Sequence, residues 1–197
     1  MATTMIWRTV QKTKFMSIGM TSSPLNLMSD IGGEMNNYRD DNLVQNSALA
    51  CFLLTSFVQK YEEHTARTEQ PDLFLLLLVL PILWHNRSCD AVKRRQFGTP
   101  LHTVIADQPE IKAGFQERMQ AFSAVTCRGA NLACASKLLK ADFTAVAAPK
   151  FSSTFTRWPK GSKPVNAPAE MLSAIDRLAV WFSAESTAQL YSRFLTH

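Results

Sequence analysis

The sequence has few glycines and lacks the motifs by which many proteins hold nucleotides. Only seven of the 197 residues are glycine, and neither GxxxxGK[ST] nor GxGxxG occurs. The chain therefore lacks the common loops that cradle phosphates, and we exclude a nucleotide-hydrolysing site of its own. HExxH, GxSxG and the EF-hand loop are also absent, so we predict no catalytic residue, cofactor or metal.

The four cysteines do not form a recognisable framework. No CxxC is present, and no Cys/His quartet has zinc-finger spacing. His85 and Cys89 are four residues apart, but no second pair accompanies them. We therefore expect buried free thiols in a reducing compartment.

A secretory signal and a membrane-spanning run are missing as well. The early basic residues Arg8, Lys12 and Lys14 are not followed by an apolar stretch of the length that a signal peptide needs. The longest apolar run, Leu73 to Trp84, has twelve residues, whereas a spanning helix needs about 20. We expect a cytoplasmic protein without a membrane contact.

That apolar run predicts a buried helix. From Leu73 to Leu80 it contains six leucines and one β-branched residue, a composition that favours helix over strand. Pro81 is expected to kink this helix or to end it near Leu80.

Apolar residues at three- and four-residue steps predict further helices along the chain. We place them from Asp40–Asn42 to His64, at 90–96, after Thr99-Pro100, from Asp107 through Phe122, at 130–139, from about Asn166 to Phe182, and at 187–195. Alternation from Phe143 to Ala148, then Phe151 to Thr156, indicates a hairpin. The predicted fold is mainly α, a compact helical domain with a small β-hairpin, similar to a winged helix.

The domain prediction has two parts. Residues 1–40 show no sustained periodicity, and we expect a flexible or loosely docked N-terminal segment. Residues 41–197 are expected to form one helical domain with a basic hairpin or loop at about 142–165.

Positive charge is concentrated in one part of the chain. The net charge is +5, but residues 87–163 hold 13 Lys/Arg against five Asp/Glu. Such an asymmetry indicates a basic face, for which nucleic acid is the natural partner, although an acidic protein would also suit it. The candidate nucleic-acid-binding residues are Lys93, Arg94, Arg95, Lys150, Arg157, Trp158, Lys160 and Lys163.

The stretch Lys150 to Lys163 is the strongest of these candidates. It has four cations, three aromatic residues and no acid, and cations attract phosphates while exposed aromatics stack on bases. The alternative is a solvated loop whose aromatics pack against the core. Neither version implies that a base sequence is recognised, because phosphate contacts position a protein without specifying bases.

Several blocks over about residues 42–195 resemble the middle component of bacterial three-component ABC systems, the small accessory protein of Lamassu-type defence modules. They are Asn46–Leu49; Pro71–Leu73 through Leu80–His85; Thr99–His102 with Pro109, Glu110, Phe115 and Arg118; and Leu178–Phe182 with Ser186, Thr187 and Tyr191. The first 40 residues lie outside the resemblance, and residues 143–165 match poorly.

The resemblance implies a non-catalytic subunit. Its partners would be an SMC- or Rad50-like ABC ATPase and an effector, often a nuclease, in a complex that senses phage or plasmid DNA. The matching residues, such as Pro81, His85 and Trp181, look structural. The alternative from the residues themselves is a free-standing winged-helix DNA-binding regulator.

Overall fold

The computed structural model describes residues 46–145, 147–158, 160 and 168–195. In this part of the chain we number the elements in order. They are α1 (Ser47–His64), α2 (Leu73–Leu83), α3 (Asn86–Lys93), α4 (Leu101–Asp107), a 3-10 turn (Pro109–Ile111), α5 (Phe115–Ala135), β1 (Leu139–Asp142), β2 (Lys150–Ser153), α6 (Ala169–Ser183) and α7 (Thr187–Leu195). The prediction of a mainly helical fold with a small hairpin is confirmed.

Helix α1 is the centre of the packing. Its first turn is capped by Asn46, whose Oδ1 accepts a hydrogen bond from the Leu49 amide at 2.9 Å. Every residue from Ala50 to Gln59 is buried, because α5, α6 and β2 all pack against this helix. The helix begins at Ser47, and the predicted start at Asp40–Asn42 lies outside the described residues, as does the predicted N-terminal segment.

Helices α1 and α5 approach closely at Gly129. A Cβ atom on this residue would lie 2.8 Å from Ala50 Cβ and 3.0 Å from Cys51 N. Because glycine has a hydrogen in place of the Cβ, the backbones of α1 and α5 can approach each other this closely.

Helix α2 confirms the buried leucine helix. Asp72 caps it by accepting a hydrogen bond from the Leu75 amide at 2.7 Å. The helix continues through Pro81 to Leu83, so of the two outcomes predicted for Pro81, a kink or an end near Leu80, the second is wrong.

A buried arginine supports the end of α2. Arg118 is 2% exposed; its Nε donates to the Pro81 carbonyl at 3.3 Å and its Nη2 to the Ile111 carbonyl at 2.7 Å. A third bond runs to the Ala113 carbonyl. Carbonyls near a helix end need partners outside the helix, and this side chain provides one for α2.

Other helix boundaries differ from the predictions. Helix α3 begins at Asn86 rather than at residue 90. The helix expected from Asp107 is a 3-10 turn, and α5 begins only after Gly114, whose φ of 61° is left-handed. Beyond Gly114 one 21-residue helix, Phe115–Ala135, takes the place of the rest of the helix expected from Asp107 through Phe122 and of most of the one expected at 130–139.

The hairpin exists, but its first strand lies earlier than predicted. Strands β1 and β2 are antiparallel, with Leu139 opposite Ser153 and Asp142 opposite Lys150. Leu139 is buried, whereas Phe143 is 71% exposed, so burial favours 139–142 as the strand over a segment that begins at Phe143.

The second edge of β2 is also paired. The Leu73 amide donates to the Pro149 carbonyl at 3.0 Å, and the Phe151 amide donates to the Pro71 carbonyl at 2.9 Å. The hairpin is thereby attached to the start of α2.

Candidate nucleic-acid interface

The chain from β2 to Trp158 is held against α1. Buried Glu62 accepts hydrogen bonds from both the amide and the hydroxyl of Ser153, at 3.1 and 2.5 Å. Gln59 Nε2 donates to the Thr156 carbonyl at 2.8 Å. The described part of the predicted basic loop therefore has a fixed path on the helical body.

Trp158 packs against other aromatic rings. Its ring centroid lies 5.0 Å from that of Phe52 and 5.0 Å from that of Phe155. The side chain is half-buried and lines a cleft of about 330 Å³ with Ile175 and Asp176. This arrangement matches the alternative in which the aromatics of the loop pack onto the body, and it leaves less of the indole for a base.

Arg157 and Lys160 are exposed, and Lys163 lies outside the described residues. Lys150 is exposed too, but it stands between two carboxylate residues, with Asp142 opposite it on β1 and Asp72 bridged to it on the other edge. The pKa of Asp142 is lowered, mainly by hydrogen bonds from Thr144 and further by Lys140 and Lys150. Charge at Lys150 is therefore partly compensated within the sheet.

The cluster at the end of α3 is largely paired as well. Lys93 Nζ lies 2.7 Å from Asp90 and 3.2 Å from Glu170, and hydrogen bonds to these two carboxylates raise the pKa of the lysine. Arg95 forms an ion pair of 2.9 Å with Asp107.

Arg94 belongs to the same cluster and is exposed. It borders a surface cleft of about 400 Å³ that Arg87, Asp90, Arg95 and Glu110 also line. The cleft thus contains charges of both signs.

Helix α6 links the two predicted clusters. Lys93 contacts Glu170 in its first turn, and the Trp158 cleft includes Asp176 six residues later. At a rise of 1.5 Å per residue, these contacts lie about 9 Å apart along the helix axis.

Sequence reasoning missed three cations beside the loop. Lys137 follows α5, and its carbonyl accepts a 2.6 Å hydrogen bond from Thr154 Oγ1. Arg67 follows α1, and its Nη2 donates to the Phe155 carbonyl at 3.4 Å. Lys140 lies opposite Ser152 in the hairpin. Arg67 lies three residues after the predicted end of the first helix, which was the available signal for it, whereas Lys137 lies inside the helix predicted at 130–139 and gave no such signal.

His85 and Ser88 form a buried pair at the start of α3. Their Nδ1 and Oγ atoms are 2.7 Å apart, and the residues are 6% and 0% exposed. Burial lowers the pKa of His85 to about 4, with smaller contributions from the positive charges of Arg118 and Arg87. A substrate has no access to this hydroxyl, so we assign the pair to packing.

The described residues contain no candidate metal site. Among these residues no group of three or more His, Cys, Asp or Glu side chains could hold a metal ion. The cysteines in this part are free, and Cys51 and Cys89 are buried; burial raises the pKa of the Cys51 thiol, as expected for an inert residue.

A family model matches most of the chain. The model of ABC-three component (ABC-3C) system Middle Component 3 matches residues 38–195. The chain belongs to this family. The match includes every described helix and both strands, so the described part of the chain is that of an ABC-3C middle component.

No curated protein and no solved structure matches this middle component. Over the described residues, no helix is both long enough and apolar enough to cross a membrane. Family membership makes the protein an accessory component of a three-component ABC system.

Proposed function

We propose that this middle component is a non-catalytic subunit that bridges an SMC- or Rad50-like ABC ATPase and an effector nuclease, in a cytoplasmic, Lamassu-type defence complex against phage or plasmid DNA. The observation that carries the proposal is the family match over residues 38–195. The resemblance of its sequence blocks to such accessory proteins supplies the named partners.

The proposal includes contact with double-stranded DNA inside the complex. Exposed Arg94, Arg157 and Lys160 support it, because exposed cations are the groups that attract phosphates. Lys93, Arg95 and Lys150 have acidic neighbours, so we expect smaller contributions from them. Lys163 and Trp158 remain predicted members of the site.

Co-purification tests the subunit role. The tagged chain is co-expressed with its genomic neighbours and recovered at moderate salt after nuclease treatment. We expect a large coiled-coil ATPase in the eluate. Recovery of the tagged chain alone would contradict the proposal, and recovery of the ATPase only without nuclease would show a link through DNA rather than through protein. A tagged basic protein of similar size serves as the control.

One observation favours a second candidate, a free-standing winged-helix regulator. Helix α5 leads into the β1–β2 hairpin after only three residues, and a helix followed by a hairpin wing is the order of that fold. This candidate requires preference for one operator sequence by the isolated protein. Equal affinity for unrelated duplexes would remove it.

A further inference from the structure

Five exposed cations lie beside or within the segment that follows β2. They come from separate stretches of chain: Arg67 after α1, Lys137 after α5, Lys140 in β1, and Arg157 and Lys160 in the segment itself. We call these five residues the basic surface. None of them forms an ion pair within the described part of the chain.

Hydrogen bonds and strand register place three of the five close together, and Arg157 and Lys160 follow in the same segment. Three positions within four residues of β2 and its continuation have these cations as neighbours: Ser152 is opposite Lys140, Thr154 bonds to Lys137 and Phe155 bonds to Arg67. An extended chain advances about 3.3 Å per residue, so these three meeting points span about 10 Å. Duplex DNA carries one charge per about 1.7 Å of its axis, so a surface of this width faces several phosphates.

Lys137 occupies a position that favours glycine. It is the left-handed residue that ends α5, with φ of 59°. Its amide donates to the Cys134 carbonyl at 3.0 Å, and the Leu138 amide donates to the Ala133 carbonyl at 2.9 Å. Those two bonds define the Schellman motif, in which glycine is the usual residue at this position.

Helix α1 ends in the same way. The Ala66 amide donates to the Glu63 carbonyl at 3.4 Å and the Arg67 amide to the Glu62 carbonyl at 2.8 Å. Ala66 and Arg67 both have left-handed backbones, with φ of 49° and 62°. The chain thus holds two cations of the basic surface in conformations that cost stability for any residue with a Cβ.

We infer that the basic surface binds the sugar–phosphate backbone of duplex DNA without recognising its base sequence. The inference rests on the proposed function, in which the complex meets invading DNA. The nearby aromatics Phe155 and Trp158 pack against each other, which favours backbone contact over base stacking on a single strand.

The test is the affinity of the full chain for a fluorescein-labelled 30-base-pair DNA duplex, measured by anisotropy over a range of salt concentrations. Lys137→Gly removes one charge and places glycine where the helix end favours it. We expect binding to weaken about 5- to 10-fold and the salt slope to fall by about 0.9, the value for one phosphate contact. The melting temperature should rise in the same variant.

Ala66→Gly is the matched control. It introduces glycine at the equivalent position of the other Schellman motif and leaves every charge in place, so its melting temperature should rise while its affinity stays the same. The double variant Arg157→Gln and Lys160→Gln should lower the salt slope by about 1.8. Arg128→Gln removes an exposed cation nine residues before Lys137 and should change neither quantity.

Unchanged affinity and slope for Lys137→Gly and for the double variant would overturn the inference. Tighter binding of the wild-type chain to single-stranded DNA, RNA or phosphatidylserine vesicles than to the DNA duplex would also overturn it. The DNA-binding inference and the subunit role can fail independently, because co-purification after nuclease treatment does not depend on DNA.

Discussion

At the scale of single residues, Gly129 sets how closely α1 and α5 pack. Gly129→Ala would gain up to about 1 kcal/mol from helix propensity, but the new Cβ would lie 2.8 Å from Ala50 Cβ and 3.0 Å from two backbone atoms. Overpacking of this kind costs about 1–3 kcal/mol. We therefore expect a net loss of up to about 2 kcal/mol in the free energy of unfolding, measured by urea denaturation.

Gly98 provides the comparison for that substitution. A Cβ at Gly98 would meet nothing within 4 Å, so Gly98→Ala should leave the free energy of unfolding within about 0.5 kcal/mol of wild type. Equal effects of the two substitutions would contradict the close approach of the helices.

The lowered pKa of His85 predicts a loss of stability in acid. Its pKa is about 4 in the folded protein against about 6.5 in an unfolded chain. The unfolded state therefore takes up the proton first as the pH falls. The contribution of neutral His85 to the free energy of unfolding is therefore fully present above about pH 6.5. About 3 kcal/mol of stability is lost as the pH falls from about 6.5 to 4.

The measurement is urea denaturation at pH 7, 6, 5 and 4 for wild type and for His85→Asn. Carboxylates contribute equally to both proteins, so the difference between them isolates the imidazole. We expect the variant to be less stable at pH 7 and the gap to narrow by about 3 kcal/mol at pH 4. His102→Asn, at an exposed position, should follow the wild-type curve; a constant gap for His85→Asn would refute the assignment.

At the scale of elements, Glu62 fastens the hairpin to α1. It is 3% exposed and accepts two hydrogen bonds from Ser153. Glu62→Gln keeps the shape of the side chain but removes its negative charge. The new amide NH2 group also lacks a hydrogen-bond acceptor, so the free energy of unfolding should fall by about 1–3 kcal/mol. We expect faster amide hydrogen exchange in β1 and β2, while amides in α5 exchange as in wild type.

Glu63→Gln is the control for the hairpin. Its side chain is exposed and pairs with Lys60 on the surface, where ion pairs contribute about 0–1 kcal/mol. Hairpin exchange should be unchanged in this variant. Equal acceleration by both substitutions would show that the buried carboxylate does not anchor the strands.

Elements with strong local patterns were predictable, whereas boundaries that depend on tertiary contacts were not. The leucine-rich α2 and the final helix α7 follow directly from composition and spacing. The continuation of α2 through Pro81 depends on Arg118, 37 residues away in sequence, which no local window contains. The early first strand likewise depends on the burial of Leu139.

At the scale of the whole molecule, charge is redistributed by the fold. Counting along the chain groups Lys93 with Arg94 and Arg95, yet two of these three form ion pairs. Arg67 and Lys137 are 70 residues apart and meet the same short segment only because α1 and α5 end beside it. Spacing in sequence carries no information about which helix ends meet, so the sequence could indicate a basic face but not its members.

The pairing of part of β2 on both edges limits how copies of the chain can associate through their backbones. A strand with a free edge is a template for other chains and a route to aggregation. Lys150 and Phe151 have β1 on one side and the Pro71–Leu73 segment on the other, so these two residues offer no free strand edge to a neighbouring molecule. Copies of the chain that meet before its partners arrive therefore cannot extend the sheet from β2 at these two residues.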